Sequence, residues 1–134
     1  MTFEDKFMEV QVSMISLAME YVQNQAEKVY IYCISEEALH SYKVFYKING
    51  IVIEMDKVNE VATNKIDDSD NRAFALLEYG AEDIQKLLDV CQEYDREHPT
   101  EMWLIYDAQK NSLDSRYSYE GRLLIYSSIL FITD

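Results

Sequence analysis

Glycine and proline are scarce in this chain: its 134 residues include three glycines and one proline. A phosphate-cradling loop needs glycines so that backbone amides can approach the ligand closely, and a nucleophile elbow or a calcium loop needs them at fixed offsets. None of those spacings occurs, and neither does an HExxH helix. Cysteine and histidine are equally rare, at two each. Cys33 and Cys91 sit in apolar patterns without the paired spacing of a zinc or redox motif, so both read as buried thiols. His40 falls near a strand start and His98 near a helix end, where a contact with the helix dipole is the expected role, ahead of base catalysis. Basic side chains are the next deficit. Twelve of them against 25 acids leave a net charge of -13, which repels nucleic-acid phosphates and argues against direct nucleic-acid binding. The same charge suits a basic protein partner or simple solubility. Long apolar runs are missing too. The longest, Leu123 to Ile132, is interrupted by serines and falls well short of the roughly 20 residues a spanning helix needs. The first residues include Glu4 and Asp5 and lack the basic segment and apolar core of a secretory signal. A reduced, cytoplasmic protein without membrane contact is the expectation.

What the chain does have is the material of a core. A hydrophobic fraction of 49%, with 11 tyrosines and 5 phenylalanines, supports one folded domain over residues 1 to 134. Thr2 followed by Asp5 predicts a capped helix start. Phe3, Phe7, Val10, Met14, Leu17 and Tyr21 then recur at steps of four and three, an apolar stripe of about five turns that predicts a helix laid on a sheet. Lys28 to Ser35 predicts a strand apolar on both faces, with Val29, Ile31 and Cys33 opposed to Tyr30, Tyr32 and Ile34. Tyr42 to Ile48 alternates and ends at Asn49-Gly50, the strongest short hairpin signal, so the return strand is Ile51 to Met55. Residues Asn59 to Asn71, polar and acidic, read as a mobile surface loop, and Arg72 to Glu78 as a short helix or an irregular segment, with Gly80 as the separator.

The stretch from Ile84 to Tyr106 organises the rest. A helix from about Ala81 to Glu97 places Ile84, Leu87, Leu88, Cys91 and Tyr94 on one face and Glu82, Asp89, Glu93 and Glu97 on the other, with Glu82 and Asp83 in its positive first turn. Pro99 is expected to end it. Met102 to Tyr106 pairs with Leu113 to Tyr119 as a hairpin. The run from Leu123 to Ile132 fits a last strand or a docked helix. Trp103 and Ile105 face away from Met102, Leu104 and Tyr106, and since helices cover one sheet face well, the expectation is that the tail covers the Trp103 face or that this face self-associates. The fold class is therefore α+β: an antiparallel sheet of five or six strands with an N-terminal helix and a central acidic helix packed on it.

The candidate partner-binding residues are Glu82, Asp89, Glu93 and Glu97 of the acidic stripe and Asp67, Asp68 and Asp70 of the loop. The adjacent carboxylate pairs read as solvated acids and not as a metal site. No catalytic residue, metal or cofactor is expected.

Residues His98-Pro99-Thr100-Glu101-Met102-Trp103-Leu104-Ile105-Tyr106-Asp107, closed by Leu113-Asp114-Ser115-Arg116-Tyr117-Ser118-Tyr119-Glu120, resemble the YezG-like family of antitoxin or immunity proteins that accompany polymorphic toxins of Gram-positive bacteria. The resemblance spans about residues 1 to 120. It implies an α+β protein that binds a cognate toxin domain, often a nuclease, and blocks it, with no catalytic residue to carry over. Joined to the charge, it leads to a non-enzymatic immunity protein with a basic toxin domain as partner. The alternative is a small structural or regulatory adaptor that forms a homodimer through its aromatic sheet face.

Overall fold

The computed structural model describes residues 1–36, 39–119 and 122–129, the last of these through their backbone pairing. The chain begins with helix α1 (Phe3–Tyr21), and its start is fully capped. The Asp5 amide donates to Thr2 Oγ1 at 3.1 Å, and the Thr2 amide donates to Asp5 Oδ2 at 3.2 Å, so two donors that a helix end leaves unpaired are satisfied. At the other end Gln23 and Asn24 take left-handed conformations, and the Asn24 amide returns to the Met19 carbonyl at 3.0 Å, which closes the helix without a glycine.

Six strands follow in one antiparallel sheet: β1 (Lys28–Glu36), β2 (Leu39–Ile48), β3 (Ile51–Glu54), β4 (Glu101–Asp107), β5 (Ser112–Tyr119) and β6 (Arg122–Ile129), in spatial order β3-β2-β1-β4-β5-β6. The β2–β3 turn is made by Asn49 and Gly50 at φ 51° and 80°, the two positive values that a twisted two-residue hairpin needs. The return strand is one residue shorter than expected, because Met55 opens a 3₁₀ turn (Met55–Glu60) that buries Met55 and Val58.

The segment read as a mobile loop is tied down at three points. Asn59 donates to and accepts from the Ile66 backbone at 2.8 Å each way, Asn49 donates to the Val61 carbonyl, and Gln25 brackets Asn64. Ile66 itself is fully buried. An isolated apolar residue in a polar stretch carries no periodicity, which is why sequence reading passed over this anchor.

Helix α2 (Asp70–Glu93) corrects the expected element at both ends. Gly80 does not separate two segments; it lies inside one 24-residue helix, where a Cβ would run into the Tyr42 ring. The helix also stops well before Pro99. Asp95 turns left-handed, its amide reaches the Gln92 carbonyl at 3.1 Å and the Arg96 amide reaches Cys91 at 2.8 Å, a complete C-terminal cap. His98 therefore lies beyond the cap and makes no dipole contact of the kind expected of it.

Both helices cover the same face of the sheet. Gln11 donates to the Tyr117 hydroxyl at 2.6 Å and accepts from Ser115 Oγ at 3.1 Å, while Tyr46 donates to the Ala18 carbonyl at 2.7 Å, so α1 runs from above β5 to above β2. Gly80 of α2 rests on Tyr42 of β2, and Ile84 and Leu87 lie over Cys33 and Met102. Val29, Ile31, Val44, Tyr46, Met102, Leu104, Leu113 and Tyr117 fill the layer between. Removing such side chains from water is the main stabilising term of the fold, at about 25 cal/mol per Å² of apolar surface.

The opposite face carries Tyr30, Tyr32, Ile34, Phe45, Trp103 and Ile105, all half-buried. The tail does not cover it in the way expected. Arg122–Ile129 pairs edge to edge with β5 and lies in the plane of the sheet, and residues 130–132 of the expected covering segment are outside the described residues.

Candidate functional site

The outer surface of α2 is where the expected binding residues begin to converge. Successive residues turn about 100°, so Ile84, Leu87 and Cys91 point into the core while Glu78, Glu82, Asp89 and Glu93 point outward. Glu82, Asp89 and Glu93 are exposed on this surface as the sequence predicts. They are not equivalent. Glu93 Oε1 binds Lys6 Nζ at 2.9 Å and ties the helix to α1, and Asp89 accepts from Gln85 Nε2 at 3.0 Å.

Glu97 is exposed but sits past the helix end, so it does not extend the stripe. Asp67, Asp68 and Asp70 are exposed at the other end, with Asp70 opening the helix. Twelve residues of helix, about 18 Å, separate Asp70 from Glu82, more than the screening length of about 8 Å at physiological salt. The seven acids are therefore two groups. Asp67 has a local task as well: its Oδ1 accepts from the Ser69 amide at 3.1 Å, and that backbone bond, the largest cause, holds its carboxyl below the usual range.

The sequence places Asp83 in the first turn of a helix as a solvated acid, and the structure overturns this. It lies mid-helix, 2% exposed, between the two helices, accepting from Ser13 Oγ at 3.0 Å with Lys86 Nζ at 3.8 Å. Burial pushes its carboxyl above the ordinary range, against the opposing pull of Ser13 and Lys86. Asp83 shares a face with Leu76, Gly80 and Leu87, and it is buried because α1 brings Ser13 against that side; the helix also begins eleven residues before the expected Ala81.

Sequence reading also missed the apolar part of this surface. Phe74 is 74% exposed and Leu77 41% exposed, both on the outward side of α2, with Asp70 and Glu78 one turn to either side of Phe74. The signal was present in the helical spacing of residues 70, 74, 77 and 78, but it becomes readable only once Asp70–Glu93 is a single helix. Arg72 does not soften the charge of this patch. Its guanidinium donates to the carbonyls of Tyr21, at 3.2 Å, and of Asp67, and sits 5.1 Å from the Tyr21 ring centroid, where it serves the C-terminus of α1.

Two small cavities lie among the described residues. A cleft of about 120 Å³ between the end of α1 and the start of α2 is lined by Leu17, Glu20, Tyr21, Arg72, Leu76 and Tyr79, well below the roughly 300 to 1,000 Å³ of a small-molecule pocket. A second, at Cys33, Ile84, Leu87 and Met102, holds about 20 Å³, room for one water at most. Burial pushes the Cys33 thiol up to about 12 and the Cys91 thiol up to about 11, so neither is a thiolate at neutral pH. Among the described residues no group of three or more His, Cys, Asp or Glu is placed to hold a metal ion, and no helix is long and apolar enough to cross a membrane. Compared with models of known protein families and with curated proteins, the chain matches none.

Proposed function

We propose that this protein is a non-enzymatic immunity protein that binds a basic toxin domain, a nuclease by preference, and blocks it in the cytoplasm. The observation that carries the reading is the outer surface of α2, where Phe74 and Leu77 protrude between Asp70 and Glu78, with Glu82 and Asp89 farther along the same side of the helix. An exposed aromatic with a charged rim is the arrangement of a protein-binding hot spot, since the ring supplies buried area and the rim steers encounter. A nuclease cleft is basic because it must hold phosphates, so a surface of this sign competes for it directly. The resemblance carried by β4 and β5 points the same way.

The reading requires a basic toxin domain encoded beside this chain, and the test is protection of cells that express it. Co-expressed parent protein should restore growth. Phe74→Ala together with Glu78→Lys, Glu82→Lys and Asp89→Lys should abolish protection while leaving the circular dichroism spectrum unchanged, because all four side chains point to solvent. Stopped-flow association with the purified toxin domain should slow by about 10-fold or more and lose its salt dependence in the variant. Full protection by the folded variant would remove this surface from the interface, and failure of the parent to protect would overturn the immunity reading.

A further inference from the structure

Phe74 and Leu77 belong to a longer pattern on α2. Phe74, Leu77, Ala81, Ile84 and Leu88 follow one another at steps of three and four. At about 100° per residue they stay within one narrow stripe, and Phe74 to Leu88 covers about 21 Å of the helix. Arg72, Tyr79 and Asp83 mark the side of α2 turned toward α1, and the stripe lies about half a turn away from them. One end of it is seated: Ile84 and Leu88 line the small cavity with Met102 and Pro99. The other end is open, with Phe74, Leu77 and Ala81 exposed. Three stripe residues are each followed by an exposed acid, Glu78, Glu82 and Asp89, so a line of carboxylates runs beside the stripe one step round the helix. The two cations of α2 face elsewhere. Arg72 is bound to the carbonyls of Tyr21 and Asp67, and Lys86 Nζ lies 3.8 Å from Asp83.

We propose that this stripe docks an amphipathic α-helix of the partner protein, one with apolar residues at steps of three and four and with lysine or arginine along its flank. The inference deepens the reading of α2 as a binding surface and rests on it. Spacing selects a helix. Residues repeating at this interval match the repeat of a second helix laid nearly parallel, so that the side chains of one fill the gaps between those of the other. Ala81, short and flanked by Leu77 and Ile84, leaves the widest gap for a large side chain of the partner. An extended segment in the same place would press its backbone N–H and C=O groups against a helix whose own are already paired. Charge selects the flank. The carboxylate line calls for cations on the incoming helix. A second copy of this chain seated stripe to stripe brings another carboxylate line and no cation, and an anionic lipid surface meets the same repulsion.

The experiment titrates the full chain into a fluorescein-labelled synthetic helix of about three heptads, with leucine at the stripe positions and lysine on both flanks. Anisotropy is followed at physiological salt, where long-range attraction is screened. The control peptide has the same residues in permuted order, which keeps the charge and loses the stripe. The striped peptide should bind at least about 10-fold tighter than the control. Phe74→Ala with Leu77→Ala should remove that preference and leave the circular dichroism spectrum unchanged, since both side chains are exposed. Glu78→Lys with Glu82→Lys and Asp89→Lys should transfer tight binding to a peptide in which glutamate replaces lysine, a gain that a misfolded variant cannot produce. Equal binding of striped and permuted peptides overturns the proposal, and so does binding of neither. A preference that survives the loss of Phe74 and Leu77 does the same, as does a charge-reversed variant that keeps its folded spectrum and its old preference. Dimerisation of the parent that the double alanine variant abolishes would give the stripe to a second copy and overturn the proposal too. No toxin takes part in this assay. Failure of the immunity reading shows differently, as cells left unprotected by a parent that still binds the striped peptide.

Discussion

Gly80→Ala sets two well-known effects against each other, and the structure says which one wins. Alanine in a helix interior is favoured over glycine by about 1 kcal/mol, so at an exposed position of α2 the change would stabilise the protein. At position 80 the new methyl group would meet three ring atoms of Tyr42, and even the farthest of them, Cζ, would be 2.7 Å away. The ring cannot step aside by rotating a flexible end, because the overlap falls on its body and not on its tip. Either α2 lifts from β2 or Tyr42 leaves its rotamer, and forced repacking of that kind costs typically 1 to 3 kcal/mol. After the propensity gain is subtracted, a net loss of up to about 2 kcal/mol remains. For a domain of this size that lowers Tm by up to roughly 8 °C. Urea unfolding followed by circular dichroism measures it, with an unchanged slope identifying a true loss of stability. Tyr42→Leu gives the control: in that background the methyl has room, and the double variant should be more stable than the sum of the single effects by about 1 kcal/mol or more. An unfolding midpoint for Gly80→Ala above that of the parent would refute the reasoning, because it would mean that helix propensity governs this position and that the contact with Tyr42 is not close.

Two further perturbations probe the interior. Because burial raises the Asp83 carboxyl above its unfolded value of 3.8, its contribution favours folding below that value and is lost as pH rises through the folded one. Asp83→Asn should therefore be at least as stable as the parent at pH 7 and lose that advantage near pH 3, as seen in paired urea curves; an advantage that grows toward acid pH would contradict the sign. Gln11→Leu removes the bonds to Tyr117 and Ser115 and should cost about 1 to 3 kcal/mol, with part recovered by adding Ser115→Ala, because a buried hydroxyl that has lost its partner is then gone too. If the second change lowers the thermal midpoint further, the Ser115 bond to Gln11 is not what the first change broke.

Local rules made much of this protein legible in its sequence. Thr2 and Asp5 specify the start of α1, since a capping box is closed by residues three apart. Asn49-Gly50 specifies the β2–β3 hairpin, since few residue pairs accept two positive φ values. The alternation of Met102 to Tyr106 and Leu113 to Tyr119 specifies a two-faced hairpin. Tertiary structure decided what sequence spacing leaves open. Gly80 reads as a break by propensity, yet the helix runs through it because the Tyr42 ring needs the space a side chain would occupy. Asp83 reads as a solvated acid, yet lies between the helices because α1 packs with Ser13 against the side of α2 that Asp83 shares with Gly80 and Leu87. Ile66 and Gln11 become core residues through partners far away along the chain, contacts that no short window contains. The acids proposed as one binding surface fall into two groups about 18 Å apart, because helix length converts a near spacing in sequence into a long one in space. The chain by itself determined where hydrogen bonds and apolar faces must be satisfied locally, and only packing decided which face of each element was left to solvent, because that choice depends on what the remaining elements have already covered.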